Sequence, residues 1–334
     1  MNSDLNPTPT PESISMRPPW WLIGLLMLLC GAVIAWRIPP LFRAIEEKRK
    51  LDTEGAFVNG FQLSEELKVD PTLIRFGSPE EIIPIDEAPI WDTKTVANLG
   101  ENFRTRFLVS ESEVVGVVIN GKARAYPIRI LQWHEVVNDA LGEKPICVIH
   151  HPLSETTTVF RRPESKNSEP VLFGSSGLTV DCCLLIHDRL GSNARSNESL
   201  WSPVDGAAIS GDRSGQQLEL VAFQLTTWKK WLAAHPETDV LGMLESHRRY
   251  YKKEPYSPYR LVDKPRYPYS PEPPASPRAN LSRVILTREE GEWCARTPDG
   301  SQNSSAWVSE NKPFPHVITS WFAIHAREIP LRLP

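Results

Sequence analysis

The stretch from Arg124 to Phe160 constrains the fold more than any other part of the chain. Pro127 suits the first turn of a helix, because its fixed φ fits there and its missing N–H would have no partner in that turn. The apolar residues that follow recur at helical spacing, namely Ile130, Trp133, Val137 and Leu141. We therefore predict an amphipathic helix over Ile128–Leu141, which Gly142 would end.

A predicted strand over Ile146–His151 follows this helix and ends at Pro152. Residue alternation puts Ile146, Val148 and His150 on one face, and Cys147, Ile149 and His151 on the other. The β-branched run Thr156–Arg162 is the predicted partner strand. Because the connection is short, we expect the helix to pack on the strand. We expect the strand to turn His151 towards the helix. The opposite arrangement, which would bury His150 and expose His151, stays an alternative.

The rest of the folded part is predicted to be rich in strands. Asn120-Gly121 separates Val114–Ile119 from Lys122–Tyr126, and this dipeptide favours a type I′ hairpin turn. The elements predicted downstream are the strands Val171–Phe173, Cys182–His187 and Leu218–Phe223 and the helix Thr226–Ala234. The expected fold class is therefore α+β, with a strand-rich antiparallel main domain and two or three packed helices.

An uncharged apolar run from Trp20 to Trp36 predicts one N-terminal transmembrane helix. Its length is at the short end for a membrane span, and its terminal tryptophans suit the two interfaces. A cleaved signal peptide is the alternative. We expect a single-pass membrane protein with its main domain outside the cytoplasm. The basic residues that follow the run favour the reverse orientation, so the side of the membrane stays open.

Composition divides the chain into six parts. They are a disordered tail (1–19), the anchor (20–36), a juxtamembrane segment with loops (37–112), the main domain (113–249), a Pro/Tyr-rich arm (250–282) and C-terminal strands (283–334). The net charge of −4 lacks the basic footprint of nucleic-acid binding, so we expect no nucleic-acid partner. The five cysteines have no spacing typical of a zinc site or a disulfide framework.

A series of short motifs runs through the main domain. They are Arg124-Ala-Tyr-Pro127, Trp133-His-Glu-Val-Val-Asn-Asp139, Pro152-Leu153, Val159-Phe160, Phe173-Gly-x-Ser-Gly177, His187-Asp-Arg189, Ser199-Leu-Trp-Ser202, Gly206, Gly211, Thr226-Thr-Trp228, Trp231 and His235-Pro236. In order and spacing, over residues 113–260, they resemble the domain of unknown function 3179 family. The resemblance implies a bacterial protein, often with a signal or anchor segment, and it implies no particular reaction.

One position departs from the pattern of that family. The family pattern places Tyr-Cys-Pro-Leu-Cys-Gly after the strand, where this chain has His150-His-Pro-Leu-Ser-Glu155. A Cys-x-x-Cys pair can exchange disulfides or hold a metal. His151 and Ser154 stand at the two cysteine positions and cannot exchange disulfides, although His151 can still ligate a metal.

Three residues are candidates for catalysis and two for metal binding. His134, Glu135 and Asp188 carry groups that act as general acids or bases, and His134 and His151 are the candidate metal ligands. The structural alternative is that each simply satisfies hydrogen bonds at the edge of the core. No cofactor is predicted. The favoured function is a membrane-anchored binding or scaffolding domain without the thiol pair. The alternative is a metal-binding protein or metal-dependent enzyme that uses His134 and His151.

Overall fold

The computed structural model describes residues 20, 27–29, 57–68, 70, 72–101, 107–165, 167–191, 195–261, 281–289, 292–296 and 315–327. Contacts divide the chain into two units, Met1–Lys50 and Leu51–Pro334. In the first unit, the described residues Trp20 and Met27–Leu29 are helical and exposed. The predicted tail, most of the predicted anchor and most of the Pro/Tyr-rich arm lie outside the described residues. Within them, no helix is long and apolar enough to span a membrane.

The second unit is built mainly of strands. The described strands are β1 (Phe57–Val58), β2 (Phe61–Gln62), β3 (Ile74–Arg75), β4 (Ile90–Trp91), β5 (Glu113–Ile119), β6 (Lys122–Pro127), β7 (Val136–Leu141), β8 (Lys144–His151), β9 (Thr156–Arg161), β10 (Leu172–Val180), β11 (Cys183–Arg189), β12 (Leu200–Ser202), β13 (Ala207–Ser210), β14 (Phe223–Thr227), β15 (Asp239–Leu241), β16 (Arg283–Glu289), β17 (Glu292–Arg296) and β18 (Val317–Ser320). The described helices are α1 (Glu65–Lys68), α2 (Thr93–Glu101), α3 (Ile128–His134), α4 (Trp228–Ala234), α5 (Ser257–Arg260) and α6 (Trp321–Ala326).

Three larger sheets and the β1–β2 hairpin organise these strands. The central sheet has the order β17-β16-β18-β9-β8-β7. The β5 sheet has the order β14-β5-β6-β15-β4, and the β10 sheet has the order β13-β12-β11-β10-β3. Apart from the parallel pair β6–β15, the strands of these sheets pair antiparallel. The strand-rich antiparallel prediction is thus confirmed, and few helices accompany the sheets.

The central sheet is covered on both faces. Ile146 and Val148 of β8 pack in one apolar cluster with β5 residues such as Val115. Cys147 and Ile149 pack in another cluster with residues of the β10 sheet such as Phe173. A strand that is buried on both faces has a nearly continuous apolar sequence, as β8 does.

The Asn-Gly hairpin is confirmed. Asn120 has a φ of 50° and Gly121 a φ of 76°, so both adopt the left-handed conformation that a type I′ turn requires. The flanking strands β5 and β6 pair from Ile119↔Lys122 to Val114↔Pro127. Downstream, the predicted helix is α4, which begins at Trp228 after Thr227.

The predicted helix Ile128–Leu141 is wrong in its second half. Helix α3 ends at His134, and Glu135 follows with a φ of 56°. The chain then continues as β7, because the β-branched pair Val136-Val137 suits a strand and its backbone pairs with β8. Gly142 does not end a helix but lies with Glu143 in the β7–β8 turn, where both residues have positive φ.

The predicted register of β8 is also wrong. Ile130 and Leu131 of α3 pack in the cluster that holds Ile146 and Val148, which alternate with His150 on that face. The helix therefore packs against the His150 face rather than the His151 face. Neither register exposes a histidine, because a sheet covers each face, and both rings are buried.

Downstream, three strand boundaries differ from the predictions. The strand predicted at Val171–Phe173 extends over Leu172–Val180, and Cys182 lies in a turn with a φ of 64°, before β11. The strand predicted at Leu218–Phe223 is wrong except at its last residue, because β14, which pairs with β5, covers Phe223–Thr227. At the C-terminal end, β16 pairs with β17 and β18, and β18 pairs with β9. The C-terminal strands thus extend the central sheet.

Candidate functional site

A chain of buried hydroxyl groups begins where β8 ends. Ser154 Oγ lies 2.6 Å from His151 Nδ1 and 2.7 Å from Thr156 Oγ1, which lies 2.8 Å from Thr319 Oγ1. Burial lowers the pKa of His151 to about 3, so its ring is neutral at physiological pH. His151 and Ser154, which stand where the family pattern has cysteines, therefore form a buried hydrogen bond.

Glu135 is a buried acid between α3 and β7. Burial raises its pKa to about 7, and a hydrogen bond from Ser175 only partly offsets that increase. Its Oε2 is buried and has no hydrogen-bond partner among the described residues. Near neutral pH the side chain therefore exchanges between a carboxylic acid and a carboxylate.

His150 is fully buried on the other face of β8 from His151. Its Nδ1 lies 3.0 Å from Thr157 Oγ1, and its Nε2 is buried without a hydrogen-bond partner in the described part of the chain. Burial lowers the pKa of His150 to about 4, even though the nearby Glu155 favours the charged ring. The imidazole is therefore neutral at physiological pH.

Two arginines hold Glu155 beside His150. Arg260 Nε and Arg283 Nη2 lie 3.0 Å and 2.6 Å from its two carboxylate oxygens, and Arg283 also pairs with Glu113 at 2.6 Å. Burial alone would raise the pKa of Glu155, but the two arginines outweigh it and lower that pKa to about 2. We call Glu135, His150, His151, Ser154 and Glu155 the polar centre.

The hydrogen bonds of His134 do not involve the hydroxyl chain. Its Nδ1 lies 2.7 Å from the Ile83 carbonyl oxygen, and its Nε2 lies 2.7 Å from the Tyr251 hydroxyl. A carbonyl can only accept, so Nδ1 carries the proton and Nε2 accepts from Tyr251. Burial lowers the pKa of His134 to about 4. In this arrangement both ring nitrogens are occupied.

Asp188 is buried among structural partners. Its carboxylate accepts from the backbone N–H of Ser199 at 2.5 Å and from Trp201 Nε1 at 3.3 Å, and Arg213 Nε lies 3.5 Å away. Burial raises its pKa, although these partners act in the opposite direction. The carboxylate joins β11 to β12.

No group of three or more histidine, cysteine, aspartate or glutamate side chains within the described residues has the arrangement of a metal site. Metal binding by His134 and His151, and catalysis by His134, Glu135 and Asp188, stay predictions.

A cleft of about 280 Å³ opens beside the β10 sheet. Its lining residues are Pro79, Glu80, Ile82, Ile83, Pro84, Gly174, His187, Arg189 and Arg195. The sequence identified His187-Asp-Arg189 as a motif of the family resemblance and Asp188 as a candidate residue, and it gave no indication of Glu80 or Arg195. Glu80 comes from a segment distant in sequence, whereas Arg195 follows Arg189 closely, and no motif marked either residue.

His187 forms part of the cleft wall with its orientation fixed. Its Nδ1 lies 2.9 Å from Glu198 Oε2, and Glu198 Oε1 accepts from the Leu190 N–H at 3.1 Å. A Cβ at Gly174 would lie 3.0 Å from His187 Nε2 and 2.9 Å from Arg189 Cδ. The absence of a side chain at Gly174 therefore lets His187 and Arg189 approach the backbone of β10.

Two arginines of the cleft are paired with acids from the segment that precedes α2. Arg189 Nη1 lies 2.8 Å and 2.6 Å from the two oxygens of Asp86, and Arg195 is paired with Glu80. Hydrogen bonds from Ser78 and Arg195 lower the pKa of Glu80. Each arginine side chain is 34% exposed, so the cleft presents positive groups that solvent can reach.

Comparison with known proteins identifies the family but no function. Neither the curated proteins nor the solved structures include a significant match. The model of a family described as "Protein of unknown function (DUF3179)" matches residues 86–311. That range includes the polar centre and the cleft residues Gly174, His187, Arg189 and Arg195. Since the match covers more than half of the chain, the protein belongs to the DUF3179 family of proteins of unknown function.

Proposed function

We propose that this protein is a binding domain for a small organic ligand and that the cleft is its binding site. The observation that carries the proposal is the buried His187–Glu198 pair in the cleft wall, 2.9 Å apart, with two solvent-accessible arginines nearby. Ligand sites combine apolar walls with a few oriented polar groups. Here Ile82 and Ile83 supply apolar wall, and Glu198 orients the imidazole.

The size of the cleft limits the ligand. Typical ligand pockets begin at about 300 Å³, so a cleft of about 280 Å³ suits a small metabolite rather than a large cofactor. Arginine recognises planar anions such as carboxylates and phosphates through parallel hydrogen bonds. The polar centre contributes no thiol chemistry in this proposal, since His151 and Ser154 occupy the relevant positions.

The proposal includes a membrane anchor over Trp20–Trp36, with the domain outside the cytoplasm. An uncharged apolar run with tryptophan at both ends supports the anchor. Carbonate extraction of membranes tests the anchor, because a spanning protein stays in the pellet. Release of the full-length protein would contradict it, and a C-terminal reporter fusion determines the side of the membrane.

A thermal-shift screen of the full-length protein against small metabolites tests the binding function. Ligands that raise the melting temperature are then tested on His187→Gln and on the control His235→Gln, whose histidine contacts Trp231 outside the cleft. We expect the shift to disappear in the first variant and to persist in the second. An equal shift in both variants, or no ligand at all, would overturn the proposal.

A further inference from the structure

Glu80 occupies the cleft as a side-chain carboxylate supplied by the chain itself. It lines the cleft and pairs with Arg195, and it also accepts a hydrogen bond from Ser78. The Glu80 side chain is 62% exposed, and that of Arg195 is 34% exposed. An ion pair as exposed as this contributes little stability, so another anion can readily replace Glu80 at Arg195.

The second acid near the cleft is held much more firmly. Asp86 accepts from Arg189 and also from Asn138 Nδ2 at 2.8 Å. Asn138 is itself fixed, because its amide bonds the backbone N–H and C=O of Phe173. Displacement of Asp86 from Arg189 would therefore break a connected set of hydrogen bonds, whereas displacement of Glu80 from Arg195 breaks one exposed ion pair and the exposed hydrogen bond from Ser78.

The backbone on both sides of Glu80 is anchored. The Gly77 N–H donates to the Gly177 carbonyl at 3.0 Å, and the Ile83 carbonyl accepts from His134 Nδ1 at 2.7 Å. Ile85 pairs with β7 through a donated bond to Val136 and an accepted bond from Asn138. Replacement of the Glu80 carboxylate therefore requires only rotation of its side chain, while the segment stays in place.

We infer that the ligand of the cleft is a short-chain carboxylic acid whose carboxylate displaces Glu80 from Arg195. This inference rests on the proposed function and names the chemical class of the ligand. Ile82 and Ile83, which line the cleft, would contact its aliphatic part. Glu80 is thus a built-in competitor that lowers the affinity of the cleft for acids.

Sodium butyrate is the probe, titrated into the full-length protein at constant ionic strength and followed by calorimetry. The variants are Glu80→Gln, Arg195→Gln and the control Glu81→Gln, which removes an exposed charge at the next position. We expect Glu80→Gln to bind butyrate about two- to fivefold more tightly than the wild type, the range that loss of an exposed ion pair implies. Glu81→Gln should match the wild type, and Arg195→Gln should lose binding.

The outcomes separate this inference from the function on which it rests. Equal butyrate affinity in Glu80→Gln and the wild type would overturn the role of Glu80 as competitor and leave the binding function intact. Binding of neutral metabolites that depends on His187, together with no binding of butyrate by any variant, would overturn the carboxylate class alone. Failure of every metabolite and of butyrate would overturn both.

Discussion

The polar centre and the cleft meet at neighbouring residues of β10 and use similar side chains in opposite ways. Ser175 hydrogen-bonds to Glu135 of the polar centre, and the preceding residue Gly174 lines the cleft. Both regions pair arginines with carboxylates, but the Glu155 side chain is 5% exposed and that of Glu80 is 62% exposed. Burial therefore assigns the first pairs to stability and leaves the second available for recognition.

The largest expected effect comes from breaking the ion network of the polar centre. Arg283→Leu leaves Glu155 and Glu113 without their shared cation, and removal of one partner from a buried pair costs about 3–5 kcal/mol of unfolding free energy. Urea unfolding measures this loss. The control Arg248→Leu breaks an exposed pair with Glu245 and should cost less than about 1 kcal/mol. Equal losses in the two variants would remove the contrast between buried and open pairs.

The second largest effect is the pH dependence of stability that Glu135 causes. Glu135 has a folded pKa of about 7 against an ordinary value of 4.5, so its contribution to stability is complete below pH 4.5 and is lost as the pH rises to 7. Glutamine imitates the protonated acid, so Glu135→Gln should stabilise the protein at pH 8 by about 1–3 kcal/mol and have little effect at pH 4. Urea unfolding at both pH values measures the difference. A variant that is less stable at pH 8 would show that the ionised carboxylate has a favourable partner.

The buried histidines should oppose this trend in the wild type. The folded pKa values of His134 and His150 are about 4, below the ordinary value of 6.5, so both rings are neutral in the folded state. Their contribution to stability is present above pH 6.5 and is lost as the pH falls towards 4. His151 behaves in the same direction, with a folded pKa of about 3. The histidines outnumber Glu135, so we expect the wild type to lose stability in urea unfolding between pH 6.5 and 4.

Sequence reasoning found the strand-rich class and the Asn120-Gly121 hairpin because both depend on local residues. It failed at Val136–Leu141, where helical and strand spacing fit the same apolar positions and pairing with β8 decided the outcome. It also placed His151, rather than His150, on the face of β8 that packs against the helix. The two sheets that bury both faces come from segments distant in sequence, and no local pattern reveals such a neighbour.

The candidate site likewise has residues that local sequence predicts and residues that only the fold brings together. Glu135 and His151 were identified from a short stretch, since their motifs are local. The cleft combines Glu80, His187 and Arg195, and their proximity depends on the placement of the segment before α2 against the β10 sheet. In the His187-Asp-Arg189 motif, His187 and Arg189 line the cleft, whereas the predicted candidate Asp188 does not line it. Glu155 has a φ of 53° at the position where the family pattern has glycine, the residue that adopts this conformation most readily.

A smaller effect is expected in the hydroxyl chain of the polar centre. Ser154→Ala removes the partner of His151 Nδ1 at 2.6 Å, and loss of a buried hydrogen bond costs about 1–2 kcal/mol of unfolding free energy. The control Ser214→Ala changes an exposed serine and should have no measurable effect. Urea unfolding of the two variants tests whether the histidine–serine bond stabilises the fold. An unchanged Ser154→Ala would mean that the neighbouring hydroxyl groups replace the lost contact.

The smallest effect should occur in the cleft. Glu80→Gln keeps the size of the side chain and removes its charge, so only the exposed pair with Arg195 is weakened. Exposed pairs typically contribute about 0–1 kcal/mol, and salt screens them further. We therefore expect the unfolding free energy in 0.15 M salt to change by less than about 0.5 kcal/mol. A loss as large as that of Arg283→Leu would place Glu80 among the structural ion pairs, and the difference between the two regions would then not follow from burial.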